Sequence, residues 1–251
     1  SYKNYYRAGD RFSFKGDDPL NGIGLVAPQF HGTHVAGIVA ANRDGTGMHG
    51  VAFNARLFAA ITSDPGPEDG VVAGNDANAY RAGFTALKAS GVRIINNSWG
   101  IGFLGNLGAG PSTRASQTDT IQQYFSAPND GTINATAATA RSGILLVKST
   151  GNKFGSEPDA IGALPYFRPD LEDTSITAAN LSGDALSSSS SICGMTKYYC
   201  ISAPGTSIIS ARYFGDKDEN SPGYTAASGT SMSAPMIAGS LALLMERFPY
   251  M

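Results

Sequence analysis

The feature that most limits the fold of this chain is the order of its apolar segments. Short strand-like runs alternate with helix-period stretches, and no long linker separates them. Asp76–Ser90 places Tyr80, Phe84 and Leu87 at i, i+4 and i+7, the spacing of one helix face, and is stopped by Gly91. Val92–Trp99 then reads as a strand. An Ala/Thr-rich helix from Thr132 to Arg141 runs into a second buried strand, Ile144–Thr150. The same reading gives a helix at Gly32–Ala41 and strands at Arg56–Thr62, Ile176–Ala179, Tyr199–Ala203 and Ser207–Arg212. A final helix, Thr230–Phe248, is expected to bury Met236, Ile237, Leu241, Leu244 and Met245. Alternation of this kind predicts an α/β fold, a mostly parallel sheet with helices on both faces. Gly100–Ser116 and Phe154–Asp173 are rich in Gly, Pro and Ser and are expected to be loops.

Composition narrows the function. Charged residues are 15% of the 251 positions, and 18 Lys and Arg against 20 Asp and Glu leave −2. Such a chain is not a self-repelling disordered one, and it has no basic field to hold a phosphate backbone, which argues against nucleic acid as a partner. The longest strongly apolar stretch, Met236–Met245, is too short to cross a bilayer. The two cysteines, Cys193 and Cys200, are too few for a zinc site and are not spaced as CxxC. They read as a small disulfide ring, which an oxidising compartment would allow, or as two buried thiols. The acids of Gly215–Gly223 make a solvated turn; a structural calcium there is left unassigned.

Three segments carry chemistry. His31-Gly-Thr-His34-Val-Ala-Gly37 sets a histidine at the mouth of a helix, and the histidine pKa near 6.5 suits general acid–base work. Ser149-Thr-Gly-Asn152 ends a buried strand with an amide, at the carboxyl edge where ligands of open α/β sheets bind. Ser228-Gly-Thr-Ser231-Met-Ser-Ala-Pro235 opens the last helix, so Ser231 sits beside unbonded backbone N–H groups that can hold an oxyanion. Each has a plainer reading: an N-cap serine, a turn asparagine, a core or metal-binding histidine pair. In this order they form one constellation.

These residues resemble the subtilisin-like serine proteases, the subtilases. The segment His31–Gly37 matches that family's histidine motif, whose first His is catalytic and second structural, and Gly229–Pro235 matches its serine motif. The resemblance implies a three-layer subtilisin-like α/β fold and peptide-bond hydrolysis by Ser231 with His31 as base and Asn152 as oxyanion donor. It implies that Ser98, Trp99 and Gly100 bind the substrate backbone and wall the specificity pocket, with Ala163 and Leu164 at its floor. Trp99 suggests an apolar preference there. The likeness runs from His31 to Phe248 with an insertion within Gly100–Ala140. The insertion and the tail Leu241–Pro249 further resemble subtilase passengers of Gram-negative autotransporters. That implies a secreted or cell-surface location, protein or peptide substrates, no cofactor, and a C-terminal membrane-anchored barrel outside this chain.

One departure stands. The family's third triad member is an Asp in Asp-Thr/Ser-Gly, roughly thirty residues before the His. Asp10, Asp17 and Asp18 are the upstream aspartates, and none has that context. The expectation is therefore a single catalytic domain over residues 1–251, truncated at both ends, with the Asp upstream of Ser1. The alternatives are an inactive, adhesin-like domain and an esterase of the α/β-hydrolase class. The esterase fails because its His must follow the nucleophile, whereas His31, His34 and His49 all precede Ser231.

Overall fold

The structure is a computed structural model that describes residues 30–45, 47–58, 77–100, 113–126, 131–211 and 223–250. It divides into two compact units. One comprises Ser1–Val92, Ile209–Ala226 and Gly239–Met251, the other Arg93–Ile208 and Ala227–Ala238.

In the first unit, helix α1 (Phe30–Ala40) buries His34, Ala36, Ile38 and Ala40. Its last carbonyls are met by the chain that follows: Val51 N–H donates to Ile38 O and Ala52 N–H to Val39 O, each within 2.9 Å. This relieves the unpaired carbonyls that every helix end leaves. Gly37 faces Ser210 so closely that a Cβ there would lie 2.4 Å from the Ser210 oxygen. Helix α2 (Ala77–Ala89) buries Phe84 and Leu87 on the face that the periodicity marks. Of the expected strand Arg56–Thr62, residues 56–58 are irregular, and the rest lies outside the described residues.

In the second unit, β1 (Ile94–Asn97), β2 (Leu145–Ser149), β3 (Ser175–Ser182) and β5 (Cys200–Pro204) form a parallel sheet. β4 (Ala185–Leu186) turns back antiparallel onto β3. Ile94 pairs with Leu145 and Asn97 with Lys148, so the ends of β1 and β2 leave the sheet at the same edge. Leu146, Val147, Ala178 and Ala179 are fully buried, as suits parallel strands covered on both faces. Helix α4 (Gly131–Arg141) buries threonines as well as alanines. It can do so because Thr136 and Thr139 donate their hydroxyls to the Thr132 and Ala135 carbonyls.

Two expected loops contain helices. Helix α3 (Arg114–Ser126) begins inside Gly100–Ser116, and α5 (Ala160–Phe167) with a 3₁₀ turn at Pro169–Thr174 fills most of Phe154–Asp173. α5 shows no polar face because residues 160–165 are all buried, and Pro165 lies inside it. A helix buried on every side has no period to read, and a proline reads as a breaker. Strands β6 (Ile208–Ala211) and β7 (Tyr224–Ala227) pair with each other. The last helix, α6 (Thr230–Arg247), buries Ile237, but Leu244 is 45% exposed rather than buried. Leu241, Leu243, Leu244 and Met245 wrap around the helix, and one buried stripe cannot hold all four. No described helix is long and apolar enough to cross a membrane. The Gly215–Gly223 turn lies outside the described residues except for Gly223, and Asp10, Asp17 and Asp18 also lie outside them.

Candidate active site

Ser231 is the second residue of α6, and two segments from the sheet edge hold it. From the end of β1, Ser98 donates its hydroxyl to Ser231 O at 2.8 Å, while Ser231 Oγ donates to Ser98 O at 3.2 Å. Asn96 Nδ2 in turn donates to Ser98 Oγ at 2.9 Å. From the end of β2, Asn152 Oδ1 accepts both the Thr230 N–H and the Thr230 hydroxyl, each at 2.9 Å. Thr230 Oγ1 also accepts the Gly151 N–H at 3.2 Å. Asn152 thus caps the helix that carries Ser231. With its carbonyl oxygen committed there, its exposed amide can offer Nδ2 as a donor. A hydroxyl, an adjacent helix N-terminus and an oriented amide together suit nucleophilic attack on a carbonyl and stabilisation of the resulting oxyanion.

His31 is the second residue of α1 and is exposed. The protein around its ring, and secondarily the charge of His34, lower its pKa from the ordinary 6.5, so the ring is neutral near pH 7 and can accept a proton. His34 is fully buried. Its Nε2 lies 3.1 Å from Thr225 O, and a carbonyl only accepts, so Nε2 carries the proton. Its backbone carbonyl receives the Ser210 hydroxyl at 2.7 Å.

The family profile described as the subtilase family matches residues 10–251. This chain belongs to the subtilase family. An extracellular serine protease of Serratia marcescens is 37% identical, with 88% of this chain and 24% of that protein covered. The neisserial autotransporter lipoprotein NalP of Neisseria meningitidis serogroup B is 28% identical, over 83% of this chain and 21% of its own length. The chain therefore spans about a quarter of the length of these relatives. Among solved structures, sphericase superposes with a TM-score of 0.66 at 26% identity, covering 95% of this chain and 70% of that one. Subtilisin-like neighbours and a largely parallel sheet place the fold in the α/β class.

The structure of this subtilase brings Ser98, Asn152 and Ser231 together; His31 belongs to the other unit. Trp99 is half-buried, Gly100 is exposed, and Ala163 and Leu164 are fully buried within α5. Cys193 and Cys200 form a disulfide. Among the described residues no group of three or more His, Cys, Asp or Glu could hold a metal ion, and subtilase catalysis needs no cofactor.

Sequence reasoning passed over three residues. Thr230 has no role of its own in the serine motif as the sequence presents it, yet it is the link from Asn152 to the helix. Asp159 stands directly before the apolar run of α5, an N-cap signal that would have announced that helix. Glu157 is buried, with one carboxylate oxygen on Arg114 Nε and the other on the Met195 N–H. Nothing in the local sequence marks it.

Proposed function

We propose that this subtilase is a serine endopeptidase acting through an acyl-enzyme. His31 takes the proton of Ser231 Oγ as that oxygen attacks the substrate carbonyl, then gives it to the leaving amine. Water reverses the same steps and frees the acid. Asn152 Nδ2 and the Ser231 N–H bind the tetrahedral oxyanion, and Ser98–Gly100 pairs with the substrate as an added strand. The observation that carries the reading is the double anchoring of Ser231, by Ser98 from one strand end and by Asn152 through Thr230 from the next. We read the chain as one catalytic domain and assign the triad carboxylate to none of Asp10, Asp17 or Asp18. The Serratia relative is named as extracellular and NalP as an autotransporter, which supports a secreted or cell-surface protease acting on proteins or peptides. By the NalP likeness, a C-terminal barrel would be its membrane anchor. The disulfide suits the same compartment.

The test is labelling by a fluorophosphonate, which reacts with an activated serine. One adduct on Ser231, lost in Ser231→Ala and in His31→Ala, is expected. No adduct, or one that survives in Ser231→Ala, would leave the chain a non-catalytic, adhesin-like member of its family.

A further inference from the structure

We infer that Glu157 is a positioning residue of this protease: it sets the aim of the Asn152 amide by tying the loop that carries it to Arg114 and Met195. The inference rests on the peptidase reading above and adds a residue to it.

The loop leaves β2 and closes where Asp159 N–H donates to Thr150 O at 2.8 Å. Its two limbs differ. Residues 152–155 are exposed, whereas Ser156, Glu157 and Pro158 are buried. An exposed limb has little packing to hold it. Asn152 lies on that limb, and Thr230 pins its Oδ1. An amide pinned at its oxygen can still swing about that point, so the aim of Nδ2 follows the Asn152 backbone. Ser191 steadies the neighbouring residues: its N–H donates to Gly151 O at 2.9 Å and its hydroxyl to Lys153 O at 3.1 Å. The buried limb fixes the rest of the loop.

Glu157 holds that limb at three points. Its N–H donates to Gln117 Oε1 at 2.8 Å. Its carboxylate accepts Arg114 Nε–H on one oxygen and, at 2.7 Å, the Met195 N–H on the other. Arg114 and Gln117 belong to α3, and Met195 to the disulfide ring. Both are parts of one packed platform. Ile121 of α3 is buried with Ala160 and Ala163 of α5, and Met195 packs against the same cluster. Position 194 shows how closely the ring follows the carboxylate. Its φ is +46°, and a Cβ there would overlap Glu157 Oε2, so only glycine fits.

A buried carboxylate is a poor way to gain stability. Taking its charge out of water is costly, and an apolar pair of similar volume often serves a fold as well or better. What directed, charge-assisted bonds add is a fixed position. An oxyanion donor needs one, because a misplacement of about 1 Å can cost about 10² in rate. α3 and the disulfide ring thereby act on catalysis, although neither carries a residue of the mechanism.

The experiment compares the purified protease and its variants on labelled casein. Rates are divided by the Ser231 titrated to completion with fluorophosphonate, so unfolded protein is not counted. Glu157→Gln should lower kcat by about 10- to 100-fold with KM nearly unchanged. The double variant Arg114→Met/Glu157→Met separates position from stability. Its melting temperature should stay near that of wild type, while its kcat falls as far as in Glu157→Gln. Arg114→Lys, which keeps the charge on a side chain that is 61% exposed, should retain more of kcat than either. In an Asn152→Ala background none of these changes should lower kcat further, because the amide they aim is gone. A wild-type kcat in the double variant would overturn the inference and leave the ion pair a structural brace. So would losses of equal size with and without the Asn152 amide, which would mean that Glu157 acts elsewhere. A wild type that leaves casein intact would overturn the peptidase reading, and the inference with it.

Discussion

The two helices that carry His31 and Ser231 begin in opposite ways. α6 starts under direct restraint. Its first residue is bonded to Asn152, 78 positions earlier in the chain, and Ser231 itself to Ser98, 133 positions earlier. α1 starts in the open: His31 is exposed, and what is fixed lies one turn further in, where His34 is buried against Thr225 and Ser210. On the proposed mechanism, the difference follows from what each group must do. An attacking hydroxyl has to be held in line with a substrate carbonyl whose oxygen sits on the oxyanion donors, so its neighbours clamp it. A base needs a ring kept neutral, and helix register from a buried anchor places it without burying it. The serine end should therefore fail through chemistry when its direct partners change. The histidine end should separate chemistry at His31 from stability at His34.

The largest effect tests that separation. With the triad carboxylate in place, His31→Ala should lower kcat by about 10⁶, the loss that the same change causes in subtilisin, itself a member of this family. Circular dichroism and melting should barely move. His34→Ala should instead lower the melting temperature, because it opens a cavity and strips the Thr225 carbonyl of its donor, at roughly 2–4 kcal/mol. Equal, fold-neutral losses at both histidines would erase the distinction and point to a shared ligand.

Asn152 comes next. Asn152→Ala should cost about 10²–10³ in kcat with KM nearly constant, a magnitude that again comes from a subtilisin oxyanion donor. Because Asn152 also caps Thr230, about 1 kcal/mol of stability should go with it. Asn152→Asp divides the two roles. It keeps the accepting oxygen and loses the donor, so it should restore the melting temperature without restoring kcat. Recovery of both would make Asn152 a cap and nothing more.

The serine side also carries an electrostatic cost. Lys148 is fully buried in β2 with its Nζ 3.2 Å from Ser175 Oγ, and burial pushes its pKa down to about 7. Between that value and the ordinary 10.5 the unfolded chain holds a proton that the folded one does not, so stability rises with pH across the window. Below pH 7 the cost is at its full size. Lys148→Met should stabilise the protein by about 3 kcal/mol at pH 8 and flatten its pH dependence from 7 to 10.5. Urea titration at several pH values measures both. A variant as pH-dependent as wild type would show that Lys148 reaches solvent.

The catalytic candidates were legible because each lies in a contiguous run, His31–Gly37 and Gly229–Pro235, where small residues surround the functional one. α2 and β2 were legible because amphipathic spacing and an unbroken apolar run each survive in a short window. α5 was not, since full burial removes its period. Nor was the Asn152–Thr230 tie, because nothing local to Gly151-Asn152 says which helix its oxygen will cap. The Glu157 carboxylate was hidden for the same reason: its partners Arg114 and Met195 are 43 and 38 positions away.

The smallest effect concerns the ring closed by Cys193 and Cys200. The segment just before it is strapped to the Asn152 loop: Ser191 N–H donates to Gly151 O and Ile192 N–H to Ser156 O, each at 2.9 Å. Within the ring, Met195 N–H reaches Glu157 at 2.7 Å, and Cys200 opens β5. Replacing both cysteines with serine should cost about 2.5 kcal/mol, the loop-closure entropy of so small a ring. The loss should not be uniform. Amide exchange should speed most at Ser191, Ile192 and Met195, whose partners lie on the loop from Gly151 to Glu157, and kcat should fall because the proposed oxyanion amide, Asn152, sits on that loop. Exchange over His34–Ala40 in α1 should change by no more than the global loss of stability requires. Equal acceleration in α1 would mean that the ring stabilises the whole fold rather than the serine side, and the contrast between the two helix starts would lose its energetic basis.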